Sequence, residues 1–313
     1  MSRWDILGIG DTGVDIFLRV DRLPGRDDKV IAHLIGEFPG GMVANFCGAA
    51  GRLGATTALV SLVGDDPHGR AAMDDLVAHG VDVSRVAMRL GGRTCFCVVH
   101  LDESGEKALS VVVTDCIAPS IDQVKAVDLG QARLVYLAAT ELDLALWAAR
   151  EAKKRGAIVM LDIESSAVLR DRPKLLRILG FVDIASANEA GFQALIGGSA
   201  MPDPAELLRF GPRVGIVTLG ARGCASATTT QTARRDGFEV ETVDTTGAGD
   251  CFNAAFAVSQ LRGWTLQRGV EFATAAAAIS VGGVGGHAAA PRMADVARFL
   301  AARGLVWASQ AVG

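Results

Sequence analysis

The segment DTTGAGD at 244–250 carries the residue types best suited to chemistry in this sequence. It leads into CFNAAFAVSQLRG, whose apolar spacing predicts a helix over 250–262. The first N–H groups of a helix lack partners within it, and the helix dipole places positive charge there. We therefore expect the free N–H groups of Ala248, Gly249 and Asp250 to point outward. With Gly247, they predict an anion hole that suits a phosphate.

Asp250 places a carboxylate inside this predicted anion hole, where its charge would repel a bound phosphate. Such a placement indicates that the carboxylate has a chemical role. It fits the role of a general base that accepts the proton of a hydroxyl group attacking a bound phosphoryl group. The alternative is an ordinary helix N-cap. The flanking glycines and the upstream Asp244 favour the catalytic interpretation.

Two further glycine motifs lie near the N-terminus. In GGMVAN at 40–45, paired glycines before a predicted helix expose backbone N–H groups, and Asn45 adds a donor and an acceptor. That combination suits a neutral sugar or polyol, although a glycine-rich helix start is the alternative. GIGDTG at 8–13 matches the dinucleotide pattern GxGxxG, but the strand-like VDIFLRV follows where a helix is required. We therefore predict a turn between two strands and disfavour a dehydrogenase.

Composition and charge exclude several classes of protein. The 313 residues are 50% hydrophobic and 21% charged, which is typical of a globular domain rather than a disordered chain. A net charge of −4 disfavours a nucleic-acid or membrane-surface binder. The segment 272–290 is too rich in Ala and Gly to predict a membrane helix. The six cysteines lack metal-site spacing, and with no export signal we expect a reduced, cytoplasmic protein.

Short apolar runs alternate with helical patterns, which predicts an α/β fold with a mostly parallel sheet covered on both faces. Strands are predicted at 4–10, 56–64, 134–139, 157–163, 182–188 and 214–220, and helices at 44–53, 70–79, 143–155, 205–210, 250–262, 266–281 and 293–303. Strand–turn–strand patterns at 13–38 and 93–114 interrupt this rhythm. We expect them to form a small discontinuous β-lid, or else surface hairpins, beside a core of residues 1–12, 39–92 and 115–313.

Taken together, DTTGAGDCFNAAF and GGMVANFCGAAGRLGATTALVSLVGDDPHG resemble the signatures of the ribokinase-like (PfkB) carbohydrate kinases, and the likeness spans nearly the whole chain. The resemblance implies a three-layer α/β/α core with a mostly parallel sheet and a small β-sheet lid. It implies ATP-dependent phosphorylation of a hydroxymethyl group on a small sugar, with Mg²⁺ accompanying ATP. A homodimer formed through the lid is also implied.

The resemblance assigns a role to individual residues. Asp250 corresponds to the general base, and Gly247, Ala248 and Gly249 to the anion hole. The residues expected to contact the sugar are Asp15, Gly41, Asn45, Glu141 and Asp250. Those expected to contact the nucleotide are Asn188, Thr218, Gly220, Arg222, Gly223 and Thr274. Those that fall where relatives bind a monovalent cation such as K⁺ are Asp244, Ser280, Gly283 and Gly285.

The sequence departs from the family pattern in three places. Gly191 stands where the NxxE pattern has Glu, which bears on magnesium binding. Met42 stands where ribokinases often have Lys, and the loop GGVGGHAAAP lacks the polar residues common in relatives. A nucleoside kinase and a non-catalytic sugar- or nucleotide-binding regulator are the alternatives. Phosphorylated sugars are disfavoured because no Arg or Lys lies within 41–45.

Overall fold

The strands form two separate sheets. The computed structural model describes residues 3–103, 107–197 and 201–305. The strands are β1 (Trp4–Ile9), β2 (Gly13–Val20), β3 (Ala32–Gly40), β4 (Thr57–Gly64), β5 (Val81–Arg89), β6 (Cys95–Leu101), β7 (Lys107–Val112), β8 (Ala132–Ala138), β9 (Ile158–Ile163), β10 (Ile184–Asn188), β11 (Val214–Thr218), β12 (Cys224–Ala227) and β13 (Thr232–Arg235).

The main sheet has nine strands in the order β13-β12-β11-β10-β9-β8-β1-β4-β5. Every pair from β11 to β5 is parallel, whereas β12 and β13 are added antiparallel at one edge. All eight residues of β4 are buried, which explains its uninterrupted apolar sequence. The carboxyl ends of the parallel strands therefore share one edge of the sheet.

Helices cover both faces of this sheet. They are α1 (Met42–Arg52), α2 (Pro67–Ala78), α3 (Ile121–Lys125), α4 (Leu142–Lys154), α5 (Ser165–Leu179), α6 (Glu189–Ile196), α7 (Ala205–Leu208), α8 (Ala248–Leu261), α9 (Leu266–Ser280) and α10 (Met293–Ala301). Leu7 packs into a core with α4, α5 and α6, whereas its neighbour Ile6 packs into a second core with α1, α8 and α9. The α/β/α layering predicted from the sequence is confirmed.

Helix α5 was not predicted from the sequence, because the helix is kinked. The helix contains Pro173, and Asp171 has non-helical torsion angles (φ −159°, ψ 80°) that kink it. Asp171 accepts a hydrogen bond from the Lys174 N–H at 2.9 Å, so a new cap follows the kink. The interruption breaks the apolar periodicity by which a continuous helix is recognised.

The four-stranded sheet has the order β3-β2-β6-β7, with β2 and β6 parallel. The GIGDTG motif is the turn between β1 and β2, and no helix follows it, so the dinucleotide interpretation is excluded as predicted. The six cysteines are free and buried. Within the described residues, no helix combines the length and apolar character needed to cross a membrane.

A buried carboxylate ties three neighbouring strands together. Asp183, just before β10, accepts hydrogen bonds from the Val159 N–H at 3.0 Å and from Lys153 Nζ at 2.5 Å. Arg213, just before β11, lies 2.7 Å away. The Asp183 side chain is only 3% exposed, whereas both cations are partly in solvent. The carboxylate therefore contributes mainly by satisfying a backbone N–H group that water does not reach.

We expect Asp183→Ala to lower the free energy of unfolding by about 2–4 kcal/mol, because a buried N–H loses its acceptor and two cations lose their partner. The matched control is Asp122→Ala, whose carboxylate is 88% exposed and pairs with Lys125. That control should leave the free energy of unfolding nearly unchanged, because an exposed ion pair contributes little. Urea denaturation monitored by circular dichroism measures both. Equal losses in the two variants would contradict the structural role of Asp183.

Candidate active site

A cavity of about 890 Å³ lies between the carboxyl edge of the main sheet and the small sheet. Such an edge is where open α/β sheets bind ligands. The parts of the chain that line it are the β1–β2 turn, the small-sheet strands β2, β6 and β7, the start of α1, the ends of β8 to β11 and the start of α8. The sequence-predicted base and sugar-contacting residues all line it, namely Asp15, Gly41, Asn45, Glu141 and Asp250.

The start of α8 only partly matches the sequence expectation of three free N–H groups. Gly247 is left-handed (φ 73°), and a Cβ there would lie 1.9 Å from the Gly286 carbonyl oxygen, so only glycine fits. Gly249 faces open space, with no heavy atom within 4 Å of where a Cβ would be. The Ala248 N–H, expected to be free, instead donates to the Thr245 carbonyl at 3.3 Å and closes a turn. The proposed anion hole is therefore centred on the N–H groups of Gly249 and Asp250.

Asp250 is a buried carboxylate with one hydrogen-bond donor beside it. Asn45 Nδ2 donates to Asp250 Oδ2 at 3.0 Å. Burial raises the pKa of Asp250 well above its ordinary value, and the neighbouring acids Asp162, Asp11 and Glu164 raise it further, while Asn45 lowers it. A carboxylate with a raised pKa at a helix N-terminus is suited to accept a proton from a hydroxyl group.

Asp15 brings a second carboxylate into the cavity from β2. Burial raises the pKa of Asp15 to about 6, and the charges of Asp11 and Asp244 add to that rise. Lys107 of β7 opposes it. Lys107 Nζ also donates to Thr246 Oγ1 at 3.1 Å, so the small sheet contacts the loop before α8.

The start of α1 differs from the sequence expectation. The Met42 and Val43 N–H groups donate to the Asp11 carboxylate at 2.9 and 3.3 Å, and do not face a sugar. Asp11 lies in the β1–β2 turn and is buried, so it needs these donors, and the helix end needs an acceptor. The sequence analysis missed Asp11 because it lies 31 residues before Met42.

The residues expected to contact the nucleotide are divided in space. Asn188 and Thr218 line the cavity at the ends of β10 and β11. The remaining four do not line it and are Gly220, Arg222, Gly223 and Thr274. The three at 220–223 form the turn after β11, where Arg222 pairs with Glu189 at 2.6 Å. Thr274 is buried in α9, and its hydroxyl donates to the Val270 carbonyl at 2.8 Å.

Two acids at the end of β9 were missed by the sequence analysis. Asp162 and Glu164 line the cavity beside Asp250. Burial and then the charge of Glu164 raise the pKa of Asp162 to about 7. Burial also raises the pKa of Glu164, with Asp11 adding to the rise. The sequence did contain a signal for these acids, since Asp162 and Glu164 flank Ile163 at the end of an apolar strand.

Gly191 is required by its surroundings. A Cβ at this position would lie 2.3 Å from the Ile163 carbonyl oxygen, so no side chain fits the present backbone. Asn188 caps α6 through the Gly191 N–H at 2.7 Å. Glycine therefore fits at this position where the glutamate of the NxxE pattern would not, and Asp162 and Glu164 lie at the end of the neighbouring strand β9.

The residues expected to bind a monovalent cation lie around the loop between α9 and α10. Asp244 accepts hydrogen bonds from the Thr246 N–H at 2.9 Å and the Gly285 N–H at 3.0 Å. Ser280 Oγ donates to the Ala277 carbonyl at 2.8 Å, and Gly283 lies further along the loop. Asp244 thus holds this loop against the turn before α8.

Comparison with known proteins agrees with this arrangement. A profile described as pfkB family carbohydrate kinase matches residues 5–293. The ATP-dependent ribose-1-phosphate kinase of Halopiger xanaduensis is 31% identical over 302 residues, covering 95% of this chain and 98% of the relative. The ribokinase of Bacillus subtilis is 27% identical over 305 residues, covering 95% of this chain and 99% of the relative.

The solved structure of Arabidopsis thaliana ribokinase complexed with ribose and ATP superposes with a TM-score of 0.83 at 26% identity. It covers 96% of this chain and 99% of that one. The predictions of a ribokinase-like fold, of an ATP-dependent sugar kinase and of a phosphotransferase with an alcohol acceptor are confirmed. The chain belongs to the pfkB family of carbohydrate kinases.

Proposed function

We propose that the enzyme transfers the γ-phosphoryl group of ATP to a hydroxymethyl group of a small sugar, with Asp250 as the general base. The observation that carries this proposal is the buried Asp250 carboxylate at the N-terminus of α8, beside the open backbone at Gly249. The base accepts the hydroxyl proton, while the N–H groups of Gly249 and Asp250 stabilise charge on the transferred group.

The sugar lies between the two sheets in this proposal. Asp15 and Glu141 accept hydrogen bonds from sugar hydroxyl groups, and Asn45 and the backbone of Gly41 complete the contacts. The support is that these residues converge on one cavity although they come from β2, α1 and the segment before α4. ATP binds towards Asn188 and Thr218. Binding of its adenine near 220–223 and Thr274 requires space beyond this cavity.

A phosphorylated sugar is a second candidate substrate, and a specific observation favours it. The sequence offered no cation near 41–45, but the fold brings Lys107 and Arg170 into the cavity lining. Both are suited to a phosphate group on the sugar. The Halopiger xanaduensis relative is named for ribose 1-phosphate. A nucleoside remains the third candidate.

Magnesium fits the acids present. Carboxylate oxygens are the ligands that Mg²⁺ prefers, and Asp162 and Glu164 supply them in the same cavity as Asp250. We propose that these acids hold the ion, which neutralises charge on the ATP phosphates when bound. A monovalent cation would lie against the backbone around Asp244, Ser280, Gly283 and Gly285.

We propose that residues 13–38 and 93–114 act as a lid and that this lid forms a homodimer. The support is the apolar surface it leaves exposed, with Ile31 at 74%, Leu34 at 63% and Val113 at 71%. Such exposure is unusual unless another surface covers it. Cytoplasmic location is proposed from the free cysteines, which suit a reducing compartment.

Replacing the base should remove turnover without unfolding the protein. We expect Asp250→Asn to lower kcat by about 10²–10⁴-fold, the usual contribution of a general base. Asp143→Asn is the control, since that carboxylate is 77% exposed. ADP release with a panel of pentoses, hexoses, nucleosides and sugar phosphates is the measurement. Near-native kcat in Asp250→Asn would refute the assignment, and sugar binding without ADP release would favour the regulator alternative.

The raised pKa of Asp15 predicts a pH dependence. Asp15 must be ionised to accept hydroxyl hydrogen bonds, so kcat/KM should fall by about tenfold per pH unit below about pH 6. Asp15→Asn should lose only the limb near pH 6, which a comparison of the two pH profiles of kcat/KM measures. An unchanged profile would rule out a contact between ionised Asp15 and the sugar.

The same shift gives Asp15→Asn a stability signature. Because the folded pKa is about 6 and the ordinary value is 3.8, the fold favours the neutral acid. Its contribution to stability is lost as the pH rises from about 4 to about 6. At pH 7 the uncharged variant should therefore have a higher Tm than the wild type while turning over more slowly. A lower Tm would contradict a raised pKa.

Lys107 allows a test of the phosphorylated substrate. We expect Lys107→Met to lower kcat/KM for a pentose 1-phosphate by about 10–100-fold, the value of a hydrogen bond to a charged group. For the unphosphorylated pentose the loss should be several times smaller, because only the contacts of Lys107 with Thr246 and Asp244 are lost. Lys125→Met, in an exposed pair with Asp122, is the control. Equal losses on both sugars would show that Lys107 does not recognise phosphate.

A further inference from the structure

A chain of hydrogen bonds leads from Asp250 out of the cavity. Asn45 Nδ2 donates to Asp250 Oδ2 at 3.0 Å, and Asn45 Oδ1 contacts His287 Nδ1 at 2.8 Å. On the far side of the ring, His287 Nε2 contacts Asp75 Oδ2. His79 Nδ1 in turn contacts the Asp75 carbonyl at 2.7 Å and lies 3.3 Å from its carboxylate. The hydrogen bonds thus join side chains from four parts of the fold, in the order α8, α1, the α9–α10 loop and the end of α2.

The partners fix where the protons lie. An ionised Asp250 only accepts, so Asn45 must turn its NH₂ group towards it and its oxygen towards His287. That oxygen also only accepts, so His287 Nδ1 carries a proton. On the other side of the ring, His287 Nε2 lies against the Asp75 carboxylate, so Asp75 fixes the ring while Nδ1 donates to Asn45.

The ring has little freedom to leave this arrangement. His287 is 2% exposed and Asn45 4%. The His287 ring lies against Gly48 of α1, where a Cβ would be 2.6 Å from ring atom Cδ2. The loop that carries His287 is fastened two residues earlier by the Gly285 N–H to Asp244. The ring of His79 packs edge-on against it at 4.8 Å.

We propose that His287, held by Asp75, is a positioning residue for phosphoryl transfer, because it locks the Asn45 amide with its NH₂ group towards Asp250. Without that lock the amide can reverse and present its oxygen to the carboxylate, which removes the donor and adds repulsion. The proposal rests on Asp250 acting as the base. His287 does not touch the substrate, and its effect reaches the reaction through Asn45.

The acids around Asp250 make the hydrogen bond from Asn45 important. Asp250 faces Asp11, Asp162 and Glu164, all of which disfavour its ionised form. Asn45 is its hydrogen-bonding partner among the described side chains. Around His287 the charged and titratable groups are Asp75 and His79, with Arg52 beyond His79. The contact between Asp75 and His287 thus sets the orientation of the Asn45 amide beside Asp250.

The residues Asp75, His79 and His287 also form a cluster of potential metal ligands, with ligand atoms within 4.8 Å of one another. The direct contact between His287 Nε2 and Asp75 Oδ2 leaves no space for an ion between those atoms. The two side chains therefore contact each other directly.

The test compares two substitutions of His287. His287→Leu removes the donor to Asn45 at similar volume. We expect kcat to fall by about 10–100-fold at pH 7 and the limb of kcat/KM that reports Asp250, which is distinct from the Asp15 limb near pH 6, to move up by about one pH unit, while KM for ATP stays within about twofold. In His287→Asn the side-chain NH₂ occupies the place of Nδ1–H, so most of kcat and the original acid limb should return.

His79→Leu is the matched control, because it removes a ring that contacts Asp75 but not Asn45. It should lose comparable thermal stability and keep the wild-type pH profile. If His287→Leu lowered stability without moving the acid limb, or if His287→Asn failed to restore it, the positioning role would be overturned. A wild-type acid limb in all three variants alongside an inactive Asp250→Asn would overturn this inference alone. An active Asp250→Asn would instead overturn the proposed function.

A measurement on the wild-type enzyme covers the case in which His287→Leu does not fold. Nitrogen-15 spectra of the imidazole side chains at pH 7 should show a proton on His287 Nδ1, with His287→Asn identifying the resonance. An unprotonated Nδ1 would overturn the proposal, because His287 could not then donate to Asn45.

Discussion

The burial of negative charge is the constraint on which this site depends. Asp11, Asp162, Glu164 and Asp250 line one cavity, and burial raises the pKa of each. Charges of one sign in a poorly solvated space are costly unless donors or cations offset them. The fold supplies donors from helix ends. The N-terminus of α1 donates to Asp11, and that of α8 lies beside Asp250, so backbone dipoles replace part of the lost hydration.

This constraint accounts for the backbone around α8. To bring the helix end to the cavity, the chain enters through left-handed Gly247, packed against the Gly286 carbonyl. The α9–α10 loop is therefore as much a part of the site as the helix, and Asp244 fastens the two together through the Gly285 N–H. A net charge of −4 is compatible with ATP binding because local N–H groups and a bound cation do what a basic surface does elsewhere.

Local features were predicted from the sequence and long-range ones were not. The β4 strand could be recognised because continuous apolar sequence is typical of a strand buried on both faces. The GAGD turn could be recognised because its glycines and its acid are adjacent in sequence, directly before an apolar helix. Asp11 and His287 could not be recognised. Their partners lie 31 and 242 residues away, and a lone Asp in a turn or a lone His in a loop carries no pattern of its own. Lys107 reaches the cavity only because β7 joins the small sheet, so the residues near 41–45 alone could not predict which cations line the cavity.

The two sheets each contribute charged side chains to the cavity. Asp250 and Asp162 belong to the main sheet and its helices, whereas Asp15 and Lys107 belong to the small sheet. Lys107 lies 3.7 Å from Asp244 and donates to Thr246, so it holds β7 over the turn before α8. An anionic group on the substrate would compete with Asp244 for the same ammonium group. The side chain that joins the small sheet to the turn before α8 would then also contact the substrate, so the position of the small sheet would depend on which anionic group Lys107 binds.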